Sequence, residues 1–239
     1  MKKFKDYKLI IVDLDGTLYY QKPLRIKMAF SLLFHYSFRP HKLKELFVIK
    51  DYRKIREKAV FNNQENIEDS IIKTLCDKYK KDSKNIVDLI DFWMVEKPKK
   101  YIKKYQDKNL IDMLKNTQEE GVKIVVYSDN PATEKMKAID LSVDGVFSAG
   151  DKDICCFKPE NKGLKAIISK FNISYDKVLF IGDRQEKDGK CAESLGVDYI
   201  ILSSKKRKRN KQLGVFWFRW IWLVFIKKIK QKYILFWTL

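Results

Sequence analysis

The sequence predicts an α/β fold, a parallel sheet with helices on both faces, plus an all-helical domain inserted after the first strand. Three observations predict it. Short, nearly continuous apolar runs rich in Val and Ile recur along the chain, as strands covered on both faces require. Helical patterns lie between them. The interval from Tyr19 to Asp107 breaks the alternation, with about four helical patterns and no convincing strand.

The strands are expected at Lys8–Val12, Lys123–Tyr127, Lys177–Ile181 and Asp198–Leu202, with a weaker fifth at Val146–Ala149. Leu110, Met113 and Leu114 form one helical stripe, and Gly121 stands where that helix would end. Pro131 suits the first turn of a helix carrying Ala132, Met136 and Ile139 on one side. Leu164, Ile167, Ile168 and Phe171 recur at i, i+3, i+4, i+7, the apolar face of another helix. In the insert the patterns are Leu24–Phe38, His41–Val60, Asn66–Tyr79 and Asn85–Glu96, and Phe30, Phe34, Tyr36 and Phe38 read as cap core.

With 239 residues the chain can hold one sizeable core and an accessory domain, and 45% apolar content excludes bulk disorder. Its four cysteines, Cys76, Cys155, Cys156 and Cys191, form no CxxC pair. Cys155 and Cys156 read as small apolar fillers rather than a redox pair. The only histidines are His35 and His41, read as surface or packing residues, so histidine triads and His-rich metal sites lack raw material. The short charged start, Met1–Lys8, carries no secretory apolar run, which gives the expectation of a reducing, cytoplasmic location.

Parallel α/β sheets place ligands outside the carboxyl ends of their strands. After the first strand come Asp13 and Asp15; after the second, Ser128, Asp129 and Asn130; after the weak strand, Lys158; after the next, Asp183, Arg184 and Asp188. Each alone is an ordinary loop polar residue. As a set they are costly, because clustered carboxylates repel one another unless a cation neutralises them. Oxygen donors of this kind suit Mg²⁺.

These residues carry a family resemblance. DLDGT (Asp13–Thr17), the serine closing KIVVYS, the lysine of FKP and the run GDRQEKD (Gly182–Asp188) resemble the four ordered motifs of the haloacid dehalogenase-like hydrolase superfamily. The resemblance covers Met1–Leu18 and about Lys108–Ser204. It implies a Rossmann-like catalytic core over 1–18 and 108–204, and a helical cap over 19–107. Only 29 residues separate Ser128 from Lys158, too few for a cap of the second type.

The resemblance further implies the chemistry. Asp13 is the nucleophile that forms an aspartyl-phosphate. Asp15 is the acid and base, which calls for a protonated carboxyl near neutral pH. Mg²⁺ is held by Asp13, the Asp15 carbonyl, Asp183 and Asp188. Ser128, Lys158, Asp129 and the backbone amides near Leu14 and Asp15 face the phosphate. Dehalogenases of the superfamily lack a carboxylate at the position of Asp15, so the expected activity is Mg²⁺-dependent hydrolysis of a phosphate monoester. A phosphomutase, and a non-catalytic membrane-surface adaptor on the same fold, are the alternatives. Arg184 is read evenly between a carboxylate partner and a substrate contact.

The tail, 205–239, matches no part of the resemblance. Ser203–Leu239 holds eleven Lys and Arg residues, no Asp or Glu, and four of the five tryptophans. Its 14-residue apolar run, Leu213–Ile226, would span about 21 Å as a helix, against roughly 30 Å of hydrocarbon. An interfacial segment on an anionic membrane surface is therefore expected, with the six basic residues from Lys205 to Lys211 facing lipid. Folding back on the protein, pairing with another chain, nucleic-acid binding (disfavoured) and a non-native tail are the other readings. The expected partner is a phosphorylated small molecule, with a membrane or envelope pathway as its hypothetical source.

Overall fold

The computed structural model describes residues 3–58 and 67–213. Five parallel strands form its sheet: β1 (Leu9–Val12), β2 (Lys123–Ser128), β3 (Gly145–Ser148), β4 (Val178–Gly182) and β5 (Asp198–Ile201), in the order β3-β2-β1-β4-β5. All five expected strands are present. β1 pairs with β2 through Leu9↔Lys123 and with β4 through Leu9↔Val178. The sheet is built outward to β3 on one side and to β5 on the other, so the topological switch lies at β1, between β2 and β4.

Alternation along the strands explains why both faces are covered. Ile10, Val12, Ile124, Val126, Leu179 and Ile181 pack on one side with Leu110, Ile111 and Leu114 of α6 (Lys108–Glu119). Leu9, Ile11, Val125, Tyr127, Val178 and Phe180 pack on the other with Leu164, Ile167 and Ile168 of α8 (Lys162–Phe171). Burying each such side chain contributes roughly 1.5–3 kcal/mol relative to exposure. Cys156 and Cys191 belong to this second layer as fillers.

The insert between β1 and β2 consists of α1 (Gln21–Ser37), α2 (Lys44–Lys58), α3 (Ile67–Tyr79), α4 (Ser83–Asp91) and α5 (Lys97–Tyr105). A widened turn, Phe92–Glu96, joins α4 to α5. α5 was not expected, because KPKKYIKKY is dominated by lysine and shows only Ile102 and Pro98 buried. The insert has its own core of Val48, Tyr52, Ile71, Leu75, Ile86 and Ile90.

Three local expectations need correction. The cap aromatics are not all core: Tyr36 is buried, but Phe30, Phe34 and Phe38 are 66, 71 and 72% exposed. They share a face of α1 that points away from the helices packed on it. Pro131 precedes its helix, because α7 (Thr133–Met136) is a single turn with Ala132 at its N-cap. The tail does not begin at 205. A helical segment over 206–213 returns to the core, where Leu213 is buried, the Ser203 N–H donates to Gln212 Oε1 at 2.9 Å, and Gln212 Nε2 donates to the Ile201 carbonyl at 3.1 Å. The apolar run beyond Leu213, and with it the membrane expectation, lies outside the described residues. Among the described residues no helix is long and apolar enough to cross a membrane.

Packing also overrides helix propensity at Gly163 in α8. Alanine there would gain about 1 kcal/mol in an exposed helix. Its Cβ, however, would meet Tyr127 Oη at 2.5 Å, Ile154 Cγ2 at 2.8 Å and Cys156 Sγ at 3.0 Å. Overpacking of this kind costs about 1–3 kcal/mol. Gly163→Ala is expected to lower stability in urea titration by up to about 2 kcal/mol net.

Candidate active site

The carboxyl edge of the sheet carries the site. β1 delivers Asp13, whose N–H still continues the sheet by donating to the Ile181 carbonyl at 2.8 Å. The chain then turns sharply, with Thr17 and Leu18 amides both donating to the Leu14 carbonyl. Gly16 makes the turn at φ +108°, and a Cβ there would collide with the Asp183 carboxylate. Glycine is required on both counts.

Asp13, Asp183 and Asp188 come together: each offers an oxygen within 4.8 Å of the others. Asp188 is fixed because its Oδ2 accepts from the Asp183 and Arg184 amides at 3.1 and 3.0 Å. Lys158 reaches into the same group. Its Nζ lies 2.5 Å from Asp13 Oδ1 and 2.7 Å from Asp188 Oδ1, and it is itself buried beneath the rings of Tyr127 and Phe180. Thr17 Oγ1 donates to Asp13 Oδ2 at 3.1 Å.

The electrostatics follow from burial and count. Burial pushes the Asp13 carboxyl well above its ordinary range; Lys158 opposes this, and Asp188 and Asp183 add to it. Burial with the nearby Asp188 raises Asp183 to about 6. Burial works against the Lys158 ammonium, but Asp13, Asp188 and Asp129 hold it charged far past the usual lysine value. Three carboxylates face one ammonium, an excess of two negative charges when all are ionised. Asp183 Oδ1 is buried with no hydrogen-bond partner among the described residues. An orphaned oxygen in a trio with that excess charge fits a divalent, oxygen-preferring cation such as Mg²⁺.

Asp15 is handled differently. Its carboxylate is not one of the trio. Lys135 Nζ lies 2.8 and 3.0 Å from its two oxygens, Asn130 Nδ2 donates to it at 2.6 Å, and the Tyr19 hydroxyl donates to it as well. Burial alone would raise this carboxyl, but Lys135 and the hydrogen bonds together hold it below the ordinary carboxylate range. The expectation of a protonated Asp15 is therefore overturned for this conformation. The physical reason is a cation that had not been assigned to the site. The sequence did carry a signal: Lys135 sits on the same helical face as Ala132, Met136 and Ile139, and a buried lysine requires an anion.

Ser128 ends β2 fully buried, its Oγ accepting from the Asn130 N–H at 3.1 Å. Asp129 brackets the lysine loop. Its Oδ1 accepts from the Lys158 N–H at 3.0 Å and its Oδ2 pairs with Lys187 at 2.8 Å. A carboxylate repels phosphate, so only the main chain of Asp129 suits the phosphate contact expected of it. Leu14 contributes its backbone; its side chain lies in the core. Arg184 pairs with Glu186 at 2.8 Å and stays outside the trio. From the cap, Arg56 of α2 pairs with Glu68 and donates to the Asp129 carbonyl at 2.7 Å, while its guanidinium lies over the Phe157 ring. Sequence reading missed Arg56, because nothing in a lysine- and arginine-rich helix marks one residue as reaching the site.

The chain belongs to the haloacid dehalogenase-like hydrolase family: the family's sequence model matches residues 7–196. The fold is shared with a 2-haloacid dehalogenase from Pseudomonas syringae pv. Tomato DC3000, at 17% identity over 90% of this chain and 99% of that one, with a TM-score of 0.61. It is shared also with a magnesium-bound HAD-hydrolase, YfnB, from Bacillus subtilis, at 15% identity over 84% of this chain and 87% of that one, with a TM-score of 0.54. No curated protein matches the sequence. The chain is thus a hydrolase of this family.

The trio sets a pH and metal dependence of stability. Asp183 has a folded-state pKa of about 6, above its unfolded 3.8, so the folded protein binds its proton more tightly. Stability of the metal-free protein is expected to fall as pH rises from about 4 to about 6. Mg²⁺ is expected to raise Tm at pH 7 by calorimetry. Asp183→Asn should raise the metal-free Tm and remove most of the Mg²⁺ response.

Proposed function

We propose that this hydrolase cleaves phosphate monoesters with Mg²⁺ and an aspartyl-phosphate intermediate. The observation that supports it most directly is the trio Asp13, Asp183 and Asp188, with Lys158 buried against Asp13 and Asp188. Asp13 lies at the end of the central strand, anchored on one oxygen by Lys158 and on the other by Thr17. Asp13, Asp183 and Asp188 would hold the metal, which supplies charge neutralisation for the phosphoryl group. The magnesium bound by the B. subtilis relative accords with this choice of ion.

In this reading an Asp13 oxygen attacks phosphorus as the bond from phosphorus to the ester oxygen breaks. The leaving alkoxide takes a proton. Water then attacks the aspartyl-phosphate, releasing phosphate and restoring the Asp13 carboxylate. In this reading Ser128 and the backbone amides of Leu14 and Asp15 orient phosphate oxygens, and Lys158 offsets their charge.

Asp15 and Lys135 act together on the proton. Lys135, Tyr19 and Asn130 hold the Asp15 carboxyl below the ordinary range, so in this reading it accepts a proton from the attacking water. The ammonium of Lys135, 2.8 Å away, is the proton-bearing member available to the leaving oxygen in the first half-reaction. Asp15 also separates this reading from carbon–halogen cleavage, which needs no acid for a halide.

The test is phosphate release from p-nitrophenyl phosphate and a phosphometabolite panel with Mg²⁺. Asp13→Asn is expected to lower kcat by more than about 10³-fold, and EDTA to abolish turnover reversibly. Turnover retained by Asp13→Asn would defeat the mechanism. Lys135→Met is expected to lower kcat by about 10- to 100-fold. It should also move the acid limb of the pH–rate profile upward, because without Lys135 burial raises the Asp15 carboxyl.

A further inference from the structure

The basic run KKRKRNK at 205–211 reads as a solvated patch, and six of its seven residues are exposed. Arg209 is the exception. It is 0% exposed and sits at the place where the cap joins the core.

That junction consists of two linkers paired antiparallel at Tyr19 and Gln106. The first, 16–20, leaves the site loop for α1; the second, 106–107, returns from α5 to α6. They hold each other through Tyr20 N–H to the Tyr105 carbonyl at 2.9 Å and Asp107 N–H to the Leu18 carbonyl at 2.8 Å. Arg209 contacts both. Its Nη2 donates to the Gly16 carbonyl at 2.6 Å and its Nη1 to the Thr17 carbonyl at 3.0 Å. The same Nη1 pairs with Asp107 Oδ2 at 3.2 Å, Nε donates to the Ser203 carbonyl at 2.9 Å, and the guanidinium lies over the Tyr20 ring. Asp107 is itself buried and caps α6 by accepting from the Leu110 N–H.

We infer that Arg209 is a positioning residue for the reaction at Asp13 and Asp15. It fixes the core-side root of both cap linkers and so holds the 14–17 loop in register. Three observations carry this. Among the described residues the guanidinium contacts only linker groups and its own segment, and Arg209 is fully buried. The two carbonyls it binds belong to Gly16 and Thr17, which directly follow Asp15; Thr17 also donates to Asp13. Gly16 presses against the Asp183 carboxylate so closely that no Cβ fits between them. A shift of the Gly16 backbone is therefore a shift against the trio. Only arginine can serve, because two neighbouring carbonyls and a carboxylate need a planar fork of donors. The C-terminal segment thus completes the site from behind, and any ending before residue 209 removes that support.

The catalytic part of this inference rests on the hydrolase reading, so the experiment has two readouts. Amide hydrogen exchange by mass spectrometry is measured on the full chain for wild type, Arg209→Lys and the exposed-neighbour control Lys208→Met. Arg209→Lys keeps the charge beside Asp107 but cannot hold both carbonyls. Peptides covering 16–20 and 105–107 are expected to exchange at least about tenfold faster in Arg209→Lys, with β1, β2 and β4 unchanged. Lys208→Met should match wild type. In p-nitrophenyl phosphate turnover, Arg209→Lys is expected to lower kcat by about 10- to 100-fold with KM nearly constant.

If Arg209→Lys fails to fold, Arg209→Met with Asp107→Asn replaces it. That pair leaves no buried charge unpaired and keeps an N-cap at 107. Linker protection equal to wild type would overturn the inference. So would loss of protection spread evenly over the sheet, or faster linker exchange with unchanged kcat. A wild-type chain inactive on every phosphate ester would instead sink the proposed reaction, while the exchange result still decides whether Arg209 holds the linkers.

Discussion

The structure turns on one electrostatic constraint: buried Asp13 and Asp188 and half-buried Asp183 lie together, with one ammonium, Lys158, between Asp13 and Asp188. Like charges at this spacing resist burial, and the raised Asp13 and Asp183 pKa values express that resistance. The sheet supplies the force that overcomes it. β1 and β4 are fully buried and hydrogen-bonded in register, so the residues that end them have no freedom to separate. The edge therefore carries negative charge that one ammonium does not neutralise, a setting that suits a divalent cation.

The glycines flanking the trio show how tight the constraint is. A Cβ on Gly16 would strike Asp183, and a Cβ on Gly182 would strike Asp188. Backbone and carboxylates therefore approach as closely as atoms permit. Small backbone displacements cannot be absorbed by side-chain adjustment, which is why the linkers entering and leaving the cap matter to chemistry several residues away. Arg209 stands behind the first of these turns, and Arg56 ties the cap to the loop after β2.

Asp13 and Asp15 are two residues apart and both largely out of solvent, yet their surroundings push them in opposite directions. Asp13 shares one lysine with two other acids; Asp15 has Lys135, Asn130 and Tyr19 largely to itself. A pair of carboxylates driven apart in this way is a familiar arrangement for dividing nucleophilic and proton-transfer roles. The insert has a small core of its own, but Leu24, Met28, Trp93 and Ile102 also join it to the core on one face of the sheet.

Much of this was legible before any coordinates. Short β-branched runs marked the strands, and because a parallel sheet gathers its strand ends on one edge, Asp13, Lys158, Asp183 and Asp188 could be placed together from order alone. The helical insert was legible too, since its periodicity is helical and its position interrupts the strand pattern. What the sequence could not determine were choices among equivalent residues. Lys135, Arg56 and Arg209 lie among 50 cationic side chains, and local pattern does not say which of them are buried. Nor does it say that Phe30, Phe34 and Phe38 face outward, because an apolar stripe does not name the neighbour that covers it. Those outcomes depend on contacts between residues far apart in the chain, up to 193 positions for Arg209 and Gly16, and only the tertiary structure brings such pairs within hydrogen-bonding distance.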